Sequence, residues 1–182
     1  TAAQMMVGRE LSNLYPPKHE PDVDAPRVLT VRHLSAPGIS DVSFELRKGE
    51  ILGFAGLVGS GRTAVAEAIV GLGHHVSGEV EVHGRRVHFG NVAQSLAAGV
   101  AYMTKDRKGK GLLINMGLTP NLTLLTLSHH LKGIFLDTGS EAKALERAVR
   151  RFDIRARDPS VRAGQLSGGN QQKLMLCKTM ES

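Results

Sequence analysis

The chain has 182 residues, 41% of them hydrophobic and 22% charged, with one cysteine, no tryptophan and a formal net charge of +6. That length suffices for one good core with a smaller appended lobe, and the composition is that of an ordinary globular protein. No apolar run approaches the ~20 residues of a membrane span, no secretory leader is visible, and a lone Cys177 excludes an internal disulfide, so a cytosolic chain with a reduced core thiol is expected.

Residues 1–26 are polar after an apolar opening and are interrupted by Pro16, Pro17, Pro21 and Pro26, which reads as a linker. Residues 27–33 and 42–47 alternate apolar and polar side chains with the period of a half-buried strand, and 78–84 does so again between glycines. Together they predict an antiparallel β lobe. The short apolar runs 51–55 and 100–103 predict core parallel strands, with helices over 62–70 and 91–98 between them. From Pro120 onward the spacing turns helical, over 122–131, over 140–152 and after Gly169, with Cys177 in the apolar periodicity of the last helix.

Two glycine-containing motifs stand at helix starts. The first is Gly56-Leu57-Val58-Gly59-Ser60-Gly61-Arg62-Thr63, between the apolar run 51–55 and good helix formers. Strand, glycine loop, helix is the context of a phosphate-binding loop, and the spacing fits G-x-x-x-x-G-K-[ST] except that Arg62 stands in the lysine position. A planar guanidinium keeps the charge but is bulkier than an ammonium, whereas Thr63 retains the hydroxyl that would face Mg²⁺. The second motif is Leu166-Ser167-Gly168-Gly169-Asn170-Gln171-Gln172-Lys173. There Ser167 can cap free amides, and the two glycines let backbone N–H groups approach an anion at the positive end of a helix dipole. Taken singly, the first could be a tight connection and the second an ordinary cap; their occurrence together, in this order, points to a shared nucleotide chemistry.

The octapeptide from Leu166 to Lys173 resembles the signature of ABC-type ATPases, in the spelling typical of bacterial monosaccharide importers. The resemblance extends to Met5–Leu11 with Tyr15-Pro16, to 34–44 and 47–53, and to Asp106-Arg107-Lys108 with Gly111-Leu112, which together are similar to the second nucleotide-binding half of the ribose, galactose and xylose class of importer subunits. Arg in place of Lys is itself usual in that half. The resemblance implies an α/β fold, a partial P-loop NTPase of ABC type with a parallel core sheet, an antiparallel β lobe and a helical subdomain. It implies an inter-half linker at 1–26, a β lobe and phosphate-loop core at 27–104, and a Q-loop-like segment with the helical subdomain at 105–182. It also implies ATP and Mg²⁺ as cofactors, with Gly56, Leu57, Val58, Gly59, Ser60, Gly61, Arg62 and Thr63 around one nucleotide and Leu166, Ser167, Gly168, Gly169 and Gln171 serving the ATP held by the other half. Implied partners are that half, membrane permease subunits and, indirectly, a periplasmic sugar-binding protein. The implied place is the inner face of the cell membrane.

The chain departs from that pattern in ways that matter. No aromatic residue stands in 33–38 to stack adenine, and Lys105 replaces the acidic residue usual before Asp-Arg-Lys, where a cation would repel Mg²⁺. The sequence ends at Ser182, before the strand ending in Asp-Glu that in the family holds metal and polarises water, so these residues alone are expected to be inactive. Two other readings stay open: a non-catalytic interaction fragment, and a soluble ABC ATPase acting on nucleic acid. The arginine cluster at 147, 150, 151, 155, 157 and 162 and the lysines around 105–110 lack interleaved aromatics and read as solvated surface, with no nucleic-acid partner expected. The adjacent pairs His74-His75 and His129-His130 have poor geometry for a metal, and Asn121-Leu122-Thr123 is a sequon without a role in the cytosol.

Overall fold

The computed structural model describes residues 22–181 except Arg157 and Pro159; the joining segment expected over residues 1–21 lies outside the described residues. The predicted β lobe forms. β1 (Arg27–Ala36) pairs antiparallel with β2 (Ile39–Arg47) on one side and β3 (Ser77–Val82) on the other, and the three-residue β4 (Arg85–Val87) completes the order β2-β1-β3-β4. The alternation that predicted β1 sets Val31 opposite Phe44 and Val80, and buries Val31 and Leu34 under helix α1 (Arg62–Ile69), which contributes Val65, Ala68 and Ile69. Between these two core residues the register shifts at His33, whose φ is +52°. β3 follows that irregularity at Gly78, where φ is +103° and a Cβ would lie 2.6 Å from the His33 carbonyl oxygen, so a side chain there is excluded. β4 is too short for any alternation to show in sequence.

The runs 51–55 and 100–103, expected as parallel core strands, belong to no strand; every pairing among the described residues is antiparallel. A parallel strand satisfies its backbone groups only through ladder neighbours, and neither run has one. Ile51 is accordingly 96% exposed, and Phe54 is held by an edge-on contact with Phe44 at 5.1 Å.

Helix α2 (Val92–Ala97) starts at the Asn91 cap as predicted. Residues 107–111 make a single π-helical turn capped by Asp106, whose Oδ1 accepts from the Gly109 N–H at 2.9 Å. The helix expected over 122–131 instead begins earlier and breaks. α3 (Leu118–Thr123) passes into a tighter 3₁₀ segment (Leu124–His130) kinked at Thr126, and then into a small hairpin, β5 (Leu131–Lys132) and β6 (Phe135–Leu136). The apolar spacing was real, but Thr123 and Thr126 donate their hydroxyls to the carbonyls of Thr119 and Thr123 at 3.0 and 3.4 Å, which competes with regular helix propagation.

Helix α4 (Thr138–Phe152) is capped by Asp137 and buries Glu141, Ala144, Leu145 and Ala148, an i, i+3, i+4, i+7 stripe. It packs with α3 and with helix α5 (Gly168–Met180) around Leu118, Leu122, Leu145 and Leu174. This second core is separate from the one beneath α1. Cys177 lies fully within it, and burial pushes its thiol up to about 11, leaving it an inert apolar side chain at neutral pH. Among the described residues no helix is long and apolar enough to cross a membrane.

Candidate functional site

The signature turn is built by its own neighbourhood. Ser167 is the N-cap of α5 and its Oγ accepts from the Asn170 N–H at 3.4 Å. Behind it, Asn170 reads the backbone of Arg155 twice: its Oδ1 accepts from the Arg155 N–H and its Nδ2 donates to the Arg155 carbonyl, both at 3.0 Å. The Gln171 side chain, 3% exposed, turns inward and donates to the carbonyls of Ala163 and Leu166 at 3.2 Å each. Leu166 is buried in the second core. From the other side Arg107 Nη1 donates to the Gly168 carbonyl at 3.1 Å. Of the five residues expected to face an opposing nucleotide, Ser167, Gly168 and Gly169 are exposed, whereas Leu166 and Gln171 hold the turn from inside.

Among the described residues nothing requires glycine at 168 or 169. Neither has a positive φ, a Cβ on Gly169 would meet nothing within 4 Å, and one on Gly168 would come no nearer than 3.7 Å to the Arg107 guanidinium. Glycine in a helix is disfavoured by about 1 kcal/mol relative to alanine. Two of them at an exposed helix start, beside the positive end of its dipole, form a surface that an anion can approach down to the backbone.

The phosphate loop has a different logic. Gly59 and Gly61 have φ of +89° and +84°, and a Cβ on Gly61 would lie 2.5 Å from Ile39 Cγ2 and 2.8 Å from the Gly38 carbonyl oxygen. The loop therefore abuts the β1–β2 turn, which brings the aromatic-free segment 33–38 beside the helix start, as the adenine argument requires. Gly56, Leu57, Val58, Gly59 and Ser60 are all exposed. Arg62 is exposed too, and its Nη2 donates to the Leu57 carbonyl at 3.4 Å, folding the cation back over its own loop. Thr63, one residue into α1, is half-buried and would offer one hydroxyl to a metal that takes its remaining ligands from phosphates and waters.

Sequence reasoning missed three positioning residues. In sequence Arg107 reads as part of Asp-Arg-Lys and of the basic cluster with Lys105, Lys108 and Lys110, and Asn170 as part of the octapeptide. Asn121, dismissed as a sequon, is fully buried and clamps the preceding loop: its Oδ1 accepts from the Leu113 N–H at 2.7 Å, and its Nδ2 donates to the carbonyls of Leu113 and Gly117 at 3.0 and 2.9 Å. No periodicity announces such clamps. An asparagine inside an otherwise apolar helix face is the one signal available.

Comparison with known proteins gives the family and the fold. The chain is 44% identical over 183 residues to a ribose import ATP-binding protein of Rubrobacter xylanophilus, covering 98% of this chain and 36% of that protein. It is 37% identical over 186 residues to the xylose import ATP-binding protein of Escherichia coli, covering 97% and 36% respectively. The chain thus spans about a third of the length of these curated relatives. Among solved structures, the dimeric bacterial ABC transporter cassette MJ0796 superposes with a TM-score of 0.66 at 17% identity, over 84% of this chain and 68% of that one. An ADP-bound cassette, MJ1267, gives 0.64 at 19% identity, over 85% and 64%. The fold is that of an ABC ATPase cassette, and with the ABC transporter family model matching residues 39–181, the chain belongs to that family.

Proposed function

We propose that this chain is part of the ATP-binding subunit of a bacterial sugar importer, and that its signature turn completes the ATP site of another nucleotide-binding half. The observation that carries the reading is the exposed Ser167-Gly168-Gly169 helix start, whose glycines answer to no demand of the chain's own packing while Asn170, Gln171 and Arg107 hold the turn in place. Backbone N–H groups and the Ser167 hydroxyl would meet the γ-phosphate of ATP bound across the interface. Preorganised donors at that position stabilise charge as it develops during phosphoryl transfer.

The chain's own phosphate loop is the weaker partner of the two. Its Arg62 is turned back onto Leu57, and the segment beside it offers no ring for adenine, so ATP binding here is expected to be weaker than about 1 μM. Mg²⁺, when bound with the phosphates, supplies charge neutralisation; Thr63 is the residue of this loop placed to hold it. The isolated chain is expected to show no ATP turnover above background. The relatives named above are ribose and xylose import proteins, and a pentose is accordingly the cargo class to test first.

The test is reconstitution of the full-length subunit with a pentose permease and its sugar-binding protein. Sugar-stimulated ATP hydrolysis and sugar uptake into vesicles are expected together. Hydrolysis stimulated by nucleic acid instead, with no permease association, would overturn the reading.

A further inference from the structure

Arg107 is a cation standing where a helix start disfavours one. Its Nη1 donates to the Gly168 carbonyl at 3.1 Å, and a Cβ on Gly168 would lie 3.7 and 3.8 Å from Nη1 and Nη2, so both terminal nitrogens flank the first residue of α5. Aligned peptide dipoles make that end of a helix positive and raise the energy of a neighbouring cation. No carboxylate offsets it: among the described residues Arg107 forms no ion pair, and its one side-chain hydrogen bond is that to Gly168. The adjacent Asp106 accepts from the Gly109 N–H and caps the π-helical turn. Lys105, Lys108 and Lys110 are exposed on the same segment, so four cations and one acid stand within 105–110. A guanidinium carries five N–H donors, of which one is used here, and its free fork matches the oxygens of a phosphate. The turn that bears it is fastened to α5 near both ends of that helix. Lys178 Nζ donates to the Gly111 carbonyl at 3.1 Å, and Gly111 lies so close to the Met175 sulfur that a Cβ there is excluded. The guanidinium therefore keeps its place at the helix start when another half approaches, and a donor held in advance costs no reorganisation when charge develops.

We propose that Arg107 is a catalytic residue of the shared site, and that its free N–H groups bond the γ-phosphate oxygens of the ATP held by the other half. The inference rests on the reading above, that the signature turn completes that site, and adds to it the side chain that carries positive charge there. In hydrolysis a water oxygen bonds the γ-phosphorus while the bond to the β–γ bridging oxygen breaks; ADP leaves with the electron pair of the broken bond, and the water's proton passes to solvent. Arg107 gives and takes no proton. It opposes the negative charge spread over the γ-oxygens in the transition state, as an arginine supplied from across an interface does in other phosphoryl-transfer sites. The chain thus folds Arg62 back onto its own loop and offers Arg107 to its partner's nucleotide.

The experiment measures sugar-coupled ATP hydrolysis by the full-length subunit assembled with a pentose permease and its sugar-binding protein. Arg107→Gln keeps a donor and removes the charge; kcat is expected to fall by about 10²-fold or more, at the low end of what such an arginine supplies. The KM for ATP is expected to change less than about threefold, because the lost interaction belongs to the transition state, and the melting temperature to match the parent's. Added guanidinium chloride, below denaturing concentrations, is expected to restore part of the hydrolysis lost in Arg107→Ala and none of that lost in Gly168→Val. Should Arg107→Gln melt below the parent, the rescue decides: restored hydrolysis supports the direct contact, and its absence overturns it. A raised KM at unchanged kcat, or an Arg107→Gln subunit as active as the parent while Gly168→Val is impaired, would overturn the proposal and leave the signature reading standing. A Gly168→Val subunit as active as the parent would overturn both.

Discussion

Gly61 and Gly168 each stand at the start of a helix, yet a methyl group added to Gly61 would sit 2.5 Å from Ile39 Cγ2, whereas one added to Gly168 would come no closer than 3.7 Å to any described residue beyond its own helix start, the Arg107 guanidinium being nearest. The first glycine is required from within, by a left-handed turn pressed against the β1–β2 hairpin. The second is compatible with alanine as far as the described residues are concerned. The supporting shells differ in the same way. The signature turn is tied by side chains of Arg107, Asn170 and Gln171 to backbone within 155–171, while the loop 56–60 is exposed throughout and its arginine bonds its own carbonyl. One turn is held in place with its backbone exposed; the other is an exposed turn whose cation bonds its own loop.

The sharpest way to break this contrast is to damage both motifs in the full-length subunit with its permease. Gly168→Val places a branched side chain over donors aimed at developing charge and is expected to lower sugar-coupled hydrolysis roughly 10²–10³-fold, by analogy with loss of an oxyanion donor. Arg62→Ala is expected to lower it less than ~10-fold, on the same scale. Equal losses would place catalysis at this chain's own loop. Next in size is Gln171→Leu, which leaves the inward-facing carbonyls of Ala163 and Leu166 without their donor. A destabilisation of about 2 kcal/mol, or roughly 4–8 °C in Tm, is expected. The exposed Gln172→Leu should stay within about 0.5 kcal/mol, and a melting experiment in which the two behave alike would remove Gln171 from the supporting shell.

Gly61→Ala tests the other half of the comparison and should cost about 1–2 kcal/mol through the positive φ and the contact with Ile39. Gly169→Ala should leave stability unchanged or raised while still impairing hydrolysis; a loss of stability at 169 equal to that at 61 would mean the signature glycine is an internal requirement after all. The smallest effect is alkaline. Because burial raises the Cys177 thiol to about 11, the unfolded chain loses that proton first as pH rises, and stability declines from about pH 9 upward. By pH 9.5 the loss is under ~1 kcal/mol, readable as a urea midpoint that falls with pH in the parent and not in Cys177→Ala.

Local pattern was sufficient wherever the structure is locally determined. Alternation at 27–33 and 42–47 marks strands because one face lies on a core, and the stripe Glu141, Ala144, Leu145, Ala148 marks α4 because its period matches the helix. Both glycine motifs were legible for the same reason, since turn chemistry and capping act over a few residues. What failed was non-local. The runs 51–55 and 100–103 look like strands, but a parallel strand exists only through its neighbours, and none pairs with them among the described residues. The helix over 122–131 broke because threonine hydroxyls compete with the backbone ladder, which apolar spacing does not record.

The amino-acid sequence by itself determined the family, the two glycine-rich helix starts and the order of lobe and helices, because each is written in contiguous residues whose chemistry is short-range. Only the tertiary structure decided which glycines are free to serve an outside ligand, that Gln171 turns inward while Ser167 turns out, and that Arg107 reaches Gly168 across 61 positions of sequence. Those facts depend on which distant groups come within hydrogen-bond or van der Waals reach, and that reach is set by packing across the whole fold.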